Sequence, residues 1–195
     1  AVATVKNGKE SAKTEASVSV TGASQGTQPS QPGEPEQPGQ EESGDIPQIP
    51  GLAARSDRMY FKLNNKTNGQ YADNQVYWCI LGYDSDNQLC YVDKNGNLVR
   101  ATAGMNTIAK GNRMCADICY TLAEKDYVYM PDIISGRMYF SYGEQVYITF
   151  NVAADGKIGY AGPDLNNETD PNQDVLFEFI EFTIKNKEYW GNTSR

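Results

Sequence analysis

From Met59 onward, short apolar runs alternate with clusters of Asn, Asp and Gly, and no segment sustains the three-and-four apolar spacing of an amphipathic helix. The pattern predicts strands over Met59–Leu63, Gln75–Tyr83, Leu89–Asp93, Leu98–Arg100, Met114–Leu122, Tyr127–Met130, Arg137–Ser141, Gln145–Asn151 and Val175–Ile184. Two tight turns stand out. Asp84-Ser85-Asp86-Asn87 separates one pair of strands, and Lys94-Asn95-Gly96-Asn97 separates the next with an Asn-Gly step that reaches positive φ cheaply. This part of the chain therefore reads as all-β. Its last predicted strand buries two carboxylates in an apolar run. Side chains alternate along a strand, so Glu178 falls with Leu176, Ile180, Phe182 and Ile184, and Glu181 falls with Phe177, Phe179, Thr183 and Lys185.

The first 58 residues have a different texture. All 13 Tyr, 6 Phe and 2 Trp lie at or after Tyr60, while most of the 9 prolines precede Gly51. Residues 1–22 alternate Val and Thr with polar residues around Asn7-Gly8, a β-hairpin pattern that resembles the end of a bacterial immunoglobulin-like or fibronectin-like domain. Residues 23–56 are rich in Gln, Pro, Gly, Ser and Glu, too polar to offset their ordering entropy, and read as an extended linker. Residues 57–195 then form the remaining unit. The first residue is Ala rather than Met, and the layout is that of a piece of a longer, multidomain exported protein, secreted or attached to a cell surface.

Charge narrows the chemistry. The chain carries 17 Lys and Arg against 25 Asp and Glu, a formal net charge of −8, and no histidine. Ser-His-Asp and Cys-His catalysis and imidazole-ligated metal sites are excluded, which leaves acid–base work to carboxylates. The acidic balance disfavours nucleic acid as a partner and suits a neutral ligand such as a sugar. No apolar stretch approaches the roughly 20 residues of a membrane span. Cys79, Cys90, Cys115 and Cys119 do not have zinc-ribbon spacing. On one continuous strand Cys115 and Cys119 would stand about 13 Å apart, too far to bridge, whereas Cys79 and Cys90 flank the Asp84 turn and have a possible pairing across it. Buried free thiols are the other reading. Asp164-Leu165-Asn166-Asn167-Glu168-Thr169-Asp170 opens like a calcium loop, but Thr169 stands where Gly is needed and Val175 where the bidentate Glu belongs, so no metal is expected there.

Two features suit carbohydrate. A carboxyl set against aromatic carbon, as Glu181 is expected to be, is desolvated and inclined to keep its proton, the state that glycoside cleavage asks of an acid. Trp190, within Tyr189-Trp190-Gly191-Asn192-Thr193-Ser194, offers a plate for the apolar face of a sugar ring beside hydroxyl and amide groups.

Five segments in register resemble glycoside hydrolase family 64: Tyr60–Asn65, Ile134–Ser141, Pro163–Asn167 with Asp170-Pro171-Asn172, Glu181-Phe182-Thr183, and Trp190–Ser194. The resemblance implies a thaumatin-like β-barrel or sandwich, completed by a mixed α/β domain beyond the C-terminus, and an inverting endo-β-1,3-glucanase acting on laminarin-type glucans and releasing laminaripentaose. It implies a wide groove for the glucan, no cofactor, and a monomer within its multidomain chain. By the same resemblance Glu181 is the general acid, Thr183, Trp190 and Ser194 line the sugar-binding cleft, and the general base is an aspartate just past Arg195. A chain without that base is expected to be inactive alone and marginally stable. The alternative is a non-catalytic thaumatin-like module that binds β-glucan.

Overall fold

The computed structural model describes residues 17–21 and 58–192. Most of the expected N-terminal hairpin, the expected linker, and Ser194 lie outside them. Among the described residues there is no α-helix; there are fourteen strands and two single 3-10 turns. The all-β expectation therefore holds.

The organising element is a seven-stranded antiparallel sheet. Its centre is β3 (Val76–Tyr83) beside β10 (Ile133–Tyr142). Beyond β10 come β13 (Leu176–Lys185) and the edge strand β14 (Glu188–Asn192); beyond β3 come β4 (Leu89–Val92) and the edge strand β5 (Leu98–Arg100). The short β8 (Tyr120–Thr121) lies against the first half of that same β3 edge. β3, with its nearly unbroken apolar run Val76-Tyr77-Trp78-Cys79-Ile80-Leu81, is buried on both faces, as a central strand must be.

Each face of the sheet packs on something different. One presents Trp78, Ile80, Met138, Phe140, Phe182 and Ile184 to Phe61 and Leu63 of β2 (Met59–Asn64) and Val128 and Met130 of β9 (Tyr127–Met130). The Phe61 and Phe182 rings meet edge to face, 5.4 Å between centroids. β1 (Ser17–Thr21), which falls in the segment expected to belong to a preceding domain, pairs antiparallel with β2. The opposite face presents Cys79, Leu81 and Tyr139 to a second core built from two hairpins. These are β6 (Asn106–Lys110) with β7 (Arg113–Ala116), and β11 (Thr149–Val152) with β12 (Ile158–Ala161).

The two expected turns form hairpins. Asp93 closes the second by accepting the Asn95 and Asn97 N–H groups at 2.8 and 2.9 Å, and Gly96 takes φ 79°. A Cβ on Gly96 would strike the Tyr129 carbonyl, so glycine here also lets this hairpin close against β9. Three expectations need correction. Met114–Leu122 is not one strand: after β7, Asp117 donates its N–H to Met105 O at 3.3 Å and the chain leaves its hairpin to join β3 as β8. Cys115 and Cys119 therefore do not share a strand. Gln145–Asn151 is strand only from Thr149, and β6, β12 and β14 had no counterpart in the pattern.

The oxygen-rich loop after β12 folds on itself. Asp164 Oδ1, Asn167 Oδ1 and Asp170 Oδ1 each accept the N–H two residues ahead, at 2.9–3.1 Å. Asn172, wholly buried, clamps Tyr147: its Oδ1 accepts the Tyr147 N–H at 2.6 Å and its Nδ2 donates to the Tyr147 carbonyl at 2.9 Å. Asp170 faces Arg113 at 3.2 Å. The Asp170-Pro171-Asn172 motif thus fastens this loop to the second core. Asn172→Ala strands a buried N–H and carbonyl, and is expected to cost about 2–4 kcal/mol in denaturant unfolding. An unchanged midpoint would mean that the clamp carries no stability.

Candidate active site

β10 and β13 pair over eight positions, and the register places Arg137 opposite Glu181, Tyr139 opposite Phe179 and Phe140 opposite Glu178. Residues directly opposite one another share a face. Glu178 consequently faces the first core, where it accepts a hydrogen bond from the Tyr142 hydroxyl. Burial, then that bond and the nearby carboxylate charge, push the Tyr142 phenol far above its ordinary range. Glu181 points the other way, as the alternation of the sequence requires.

On Glu181's side, the cover supplied by the second core ends at Tyr139. Beyond it the sheet is open: Glu181 is 43% exposed at its side chain, and Phe179 and Trp190 are 38% and 51% exposed. Arg137 organises this surface. Its Nε donates to Glu181 Oε1 at 3.0 Å, Nη2 donates to the same oxygen, and Nη1 donates to the Tyr139 hydroxyl at 3.2 Å. The guanidinium lies 4.5 Å above the centre of the Phe179 ring. Burial works against its charge, but the bonds to Tyr139 and Glu181 prevail and hold its pKa above the usual arginine value. Burial, then the neighbouring Tyr160, likewise raises the Tyr139 hydroxyl.

Thr183 and Trp190 complete the face. β10 carries a bulge between Ile133 and Gly136, where Ile134 and Ser135 stand opposite the single residue Thr183. Ser135 takes φ 49°, and its N–H donates to Thr183 Oγ1 at 3.1 Å. One lone pair of the threonine oxygen is thereby used, and its O–H remains to donate. Gly136 follows at a point where a Cβ would lie 2.8 Å from the Phe182 ring. Trp190 is the β-partner of Thr183 and shares its face; its neighbour Tyr189 turns inward and stacks on Phe182, ring centroids 6.0 Å apart.

The sequence pattern sets Glu181 against aromatic carbon and desolvated; the structure instead leaves its side chain 43% exposed and pairs it with Arg137. The pattern predicts no strand at Trp190, and the structure puts it on β14. Lys185-Asn186-Lys187-Glu188 closes that hairpin with Asn186 and Lys187 at φ 53° and 66°, a two-residue turn without the usual glycine. The alternation of Tyr189 and Trp190 after an asparagine was the available signal. Arg137 sits within the Ile134–Ser141 segment, but its role depends on strand register, which no local pattern displays. Among the described residues, no three His, Cys, Asp or Glu side chains converge to hold a metal ion. The Cys79–Cys90 pairing is also corrected. Cys90 is opposite Gly82 and so lies on the face away from Cys79, and among the described residues all four thiols are free.

A family model described as β-1,3-glucanase matches residues 57–195. Proteins from Cellulosimicrobium cellulans and an Arthrobacter strain, both named glucan endo-1,3-β-glucosidase, are each 36% identical over 120 residues, 62% of this chain and 21% of theirs. The crystal structure of a β-1,3-glucanase domain from Clostridium beijerinckii superposes with a TM-score of 0.61 at 42% identity, covering 66% of this chain and 36% of that one. That of a laminaripentaose-producing β-1,3-glucanase from Paenibacillus barengoltzii complexed with laminarihexaose gives 0.60 at 26% identity, covering 71% and 43%. The chain thus spans about a fifth of the named relatives' length and less than half of these structures. With the family model, the relatives and the solved folds in agreement, the chain belongs to glycoside hydrolase family 64.

Proposed function

We propose that this chain is the part of an endo-β-1,3-glucanase that carries its proton donor, Glu181, and that the parent protein is exported and cleaves laminarin-type glucans with inversion. Family membership and the names of the relatives support the substrate class. The observation that carries the reading is the meeting of Glu181, Thr183 and the exposed Trp190 on one open sheet face.

The chemistry follows from that face. Trp190 receives the apolar side of a glucosyl ring, and the Thr183 hydroxyl donates to a sugar oxygen. Both Arg137 contacts fall on one carboxylate oxygen of Glu181, Oε1, which leaves Oε2 to carry the proton to the glycosidic oxygen. Arg137 therefore acts as a positioning residue, fixing the carboxyl plane across the strand pair. Inversion then needs a second carboxylate roughly 6.5–9.5 Å away to activate water on the far side of the sugar. We assign that role to the aspartate that the family resemblance places just past Arg195, and a further sugar contact to Ser194. Laminaripentaose is the product expected from the description of the Paenibacillus barengoltzii relative.

Three substitutions in the full-length protein test this reading. Glu181→Gln is expected to lower laminarin turnover about a thousandfold or more while retention in a laminarin affinity gel persists. Turnover within tenfold of the unsubstituted protein would remove Glu181 from the mechanism, and laminarin binding without any sugar release by the unsubstituted full-length protein would favour a glucan-binding module. Arg137→Lys loses the two-nitrogen grip, so kcat should fall about 10- to 100-fold with little change in KM. An effect confined to KM would instead put Arg137 on the sugar. Trp190→Ala should weaken laminarihexaose binding about tenfold by titration calorimetry; unchanged affinity would assign the ring to packing alone.

A further inference from the structure

The outer edge of β3 is shared by two partners. β8 pairs Thr121 with Tyr77 and Tyr120 with Trp78, and β4 takes over at Leu81. Continuing the β8 register by one residue places Cys119 directly opposite Cys79, at the gap between the two partners. The hydrogen bonds give the phase of the ladder. Leu122 N–H donates to Val76 O at 2.9 Å, so even-numbered residues of β3 direct their backbone groups toward β8. On the other side Gly143 N–H donates to Gln75 O at 2.8 Å, so odd-numbered residues direct theirs toward β10. Extended by that one residue, the ladder puts Cys79 and Cys119 in a non-hydrogen-bonded pair, the closer of the two antiparallel spacings, for which Cα atoms typically stand about 4.5 Å apart. That separation lies inside the range that disulfides span.

The side chains agree with the register. Cys79 is fully buried in the second core, and Cys119 packs partly buried against the same core. Interaction with the Cys119 thiol, then burial, push the Cys79 pKa well above the usual value, and Cys119 Sγ itself donates to Val146 O at 3.5 Å. The other two cysteines are engaged elsewhere. Cys90 donates to Gln88 O at 3.4 Å on the opposite sheet face, and Cys115 lies 3.7 Å from Thr149 Oγ1.

We propose that Cys79 and Cys119 are the site of a disulfide bond that staples β8 to the edge of β3. The oxidant is a small-molecule disulfide such as oxidised glutathione. Cys119, the more exposed thiol, gives up its proton, and its thiolate attacks one glutathione sulfur and expels the other glutathione as a thiolate. The Cys79 thiolate then displaces the second glutathione, forming the Sγ–Sγ bond. The two protein protons end on the two glutathione thiols, so one disulfide is reduced as one is made. The bond would close a loop of about 40 residues that includes β4, β5, β6 and β7, and would reinforce a ladder that otherwise rests on the two paired residues of β8 and the Leu122 N–H bond to Val76 O.

The test is a non-reduced peptide map of the full-length protein equilibrated with oxidised glutathione, followed by thermal unfolding with and without dithiothreitol. Peptides containing Cys79 and Cys119 are expected joined, about 2 Da lighter than their sum, with Cys90 and Cys115 alkylated after unfolding. Reduction should lower the wild-type unfolding midpoint by roughly 5–10 °C and leave that of Cys119→Ser unmoved. Four alkylated thiols, a link between any other pair, or a wild-type midpoint indifferent to dithiothreitol would overturn the proposal. The map is made on wild type, so its outcome does not depend on how well the variant folds.

Discussion

Everything at the open face depends on the register of β10 between β3 and β13. β10 is hydrogen-bonded on both sides over most of its length, and side chains alternate, so a slip of one residue would exchange its core set for its surface set. The two cores forbid that slip. Met138 and Phe140 fill the first, Tyr139 closes the second, and neither set can take the other's place. With the register locked, Arg137 has no choice but to face Glu181. The bulge at Ile134 and Ser135 completes the device: it absorbs one extra residue, so Ile133 stays in the first core while Ser135 turns its N–H onto Thr183.

The packing also explains why one strand holds two glutamates with different fates. Glu178 and Glu181 are three residues apart, which on a strand means opposite faces. Glu178 meets a buried tyrosine hydroxyl at the margin of a packed core, and Glu181 meets a guanidinium at the margin of solvent. A carboxylate in a polar, half-open setting beside an aromatic surface is suited to meeting a sugar. A carboxylate turned into a core is suited to ordering the strand that carries the other.

Much of this was legible in the sequence because it depends on local alternation. The sorting of Glu178 from Glu181, the all-β class, and the Asp84 and Asn95-Gly96 hairpins all follow from side-chain parity and turn chemistry. What escaped depends on pairing at a distance. Arg137 is an ordinary strand residue until β13 lies beside it. Cys79 and Cys90 looked like partners across a turn because the turn was visible, while the faces they occupy were not. Met114–Leu122 read as one strand because its apolar pattern is continuous, yet the chain changes partners at Asp117, from its own hairpin to β3.

The same change of partner connects the cysteines to the open face. β3 supports β10 along its whole paired length, but on its far side it relies on the short β8 and then on β4, with Cys79 at the join. Where the two pieces meet, Cys79 and Ile80 have no strand partner on that side. Opening there would free Cys79 and Leu81 from the second core, and Tyr139, which lies across the ladder from Cys79, would lose its backing. Tyr139 is what Arg137 grips with the nitrogen that Glu181 does not use. The join in β3's outer edge is thereby linked, through Tyr139 and Arg137, to the carboxyl on the open face two strands away.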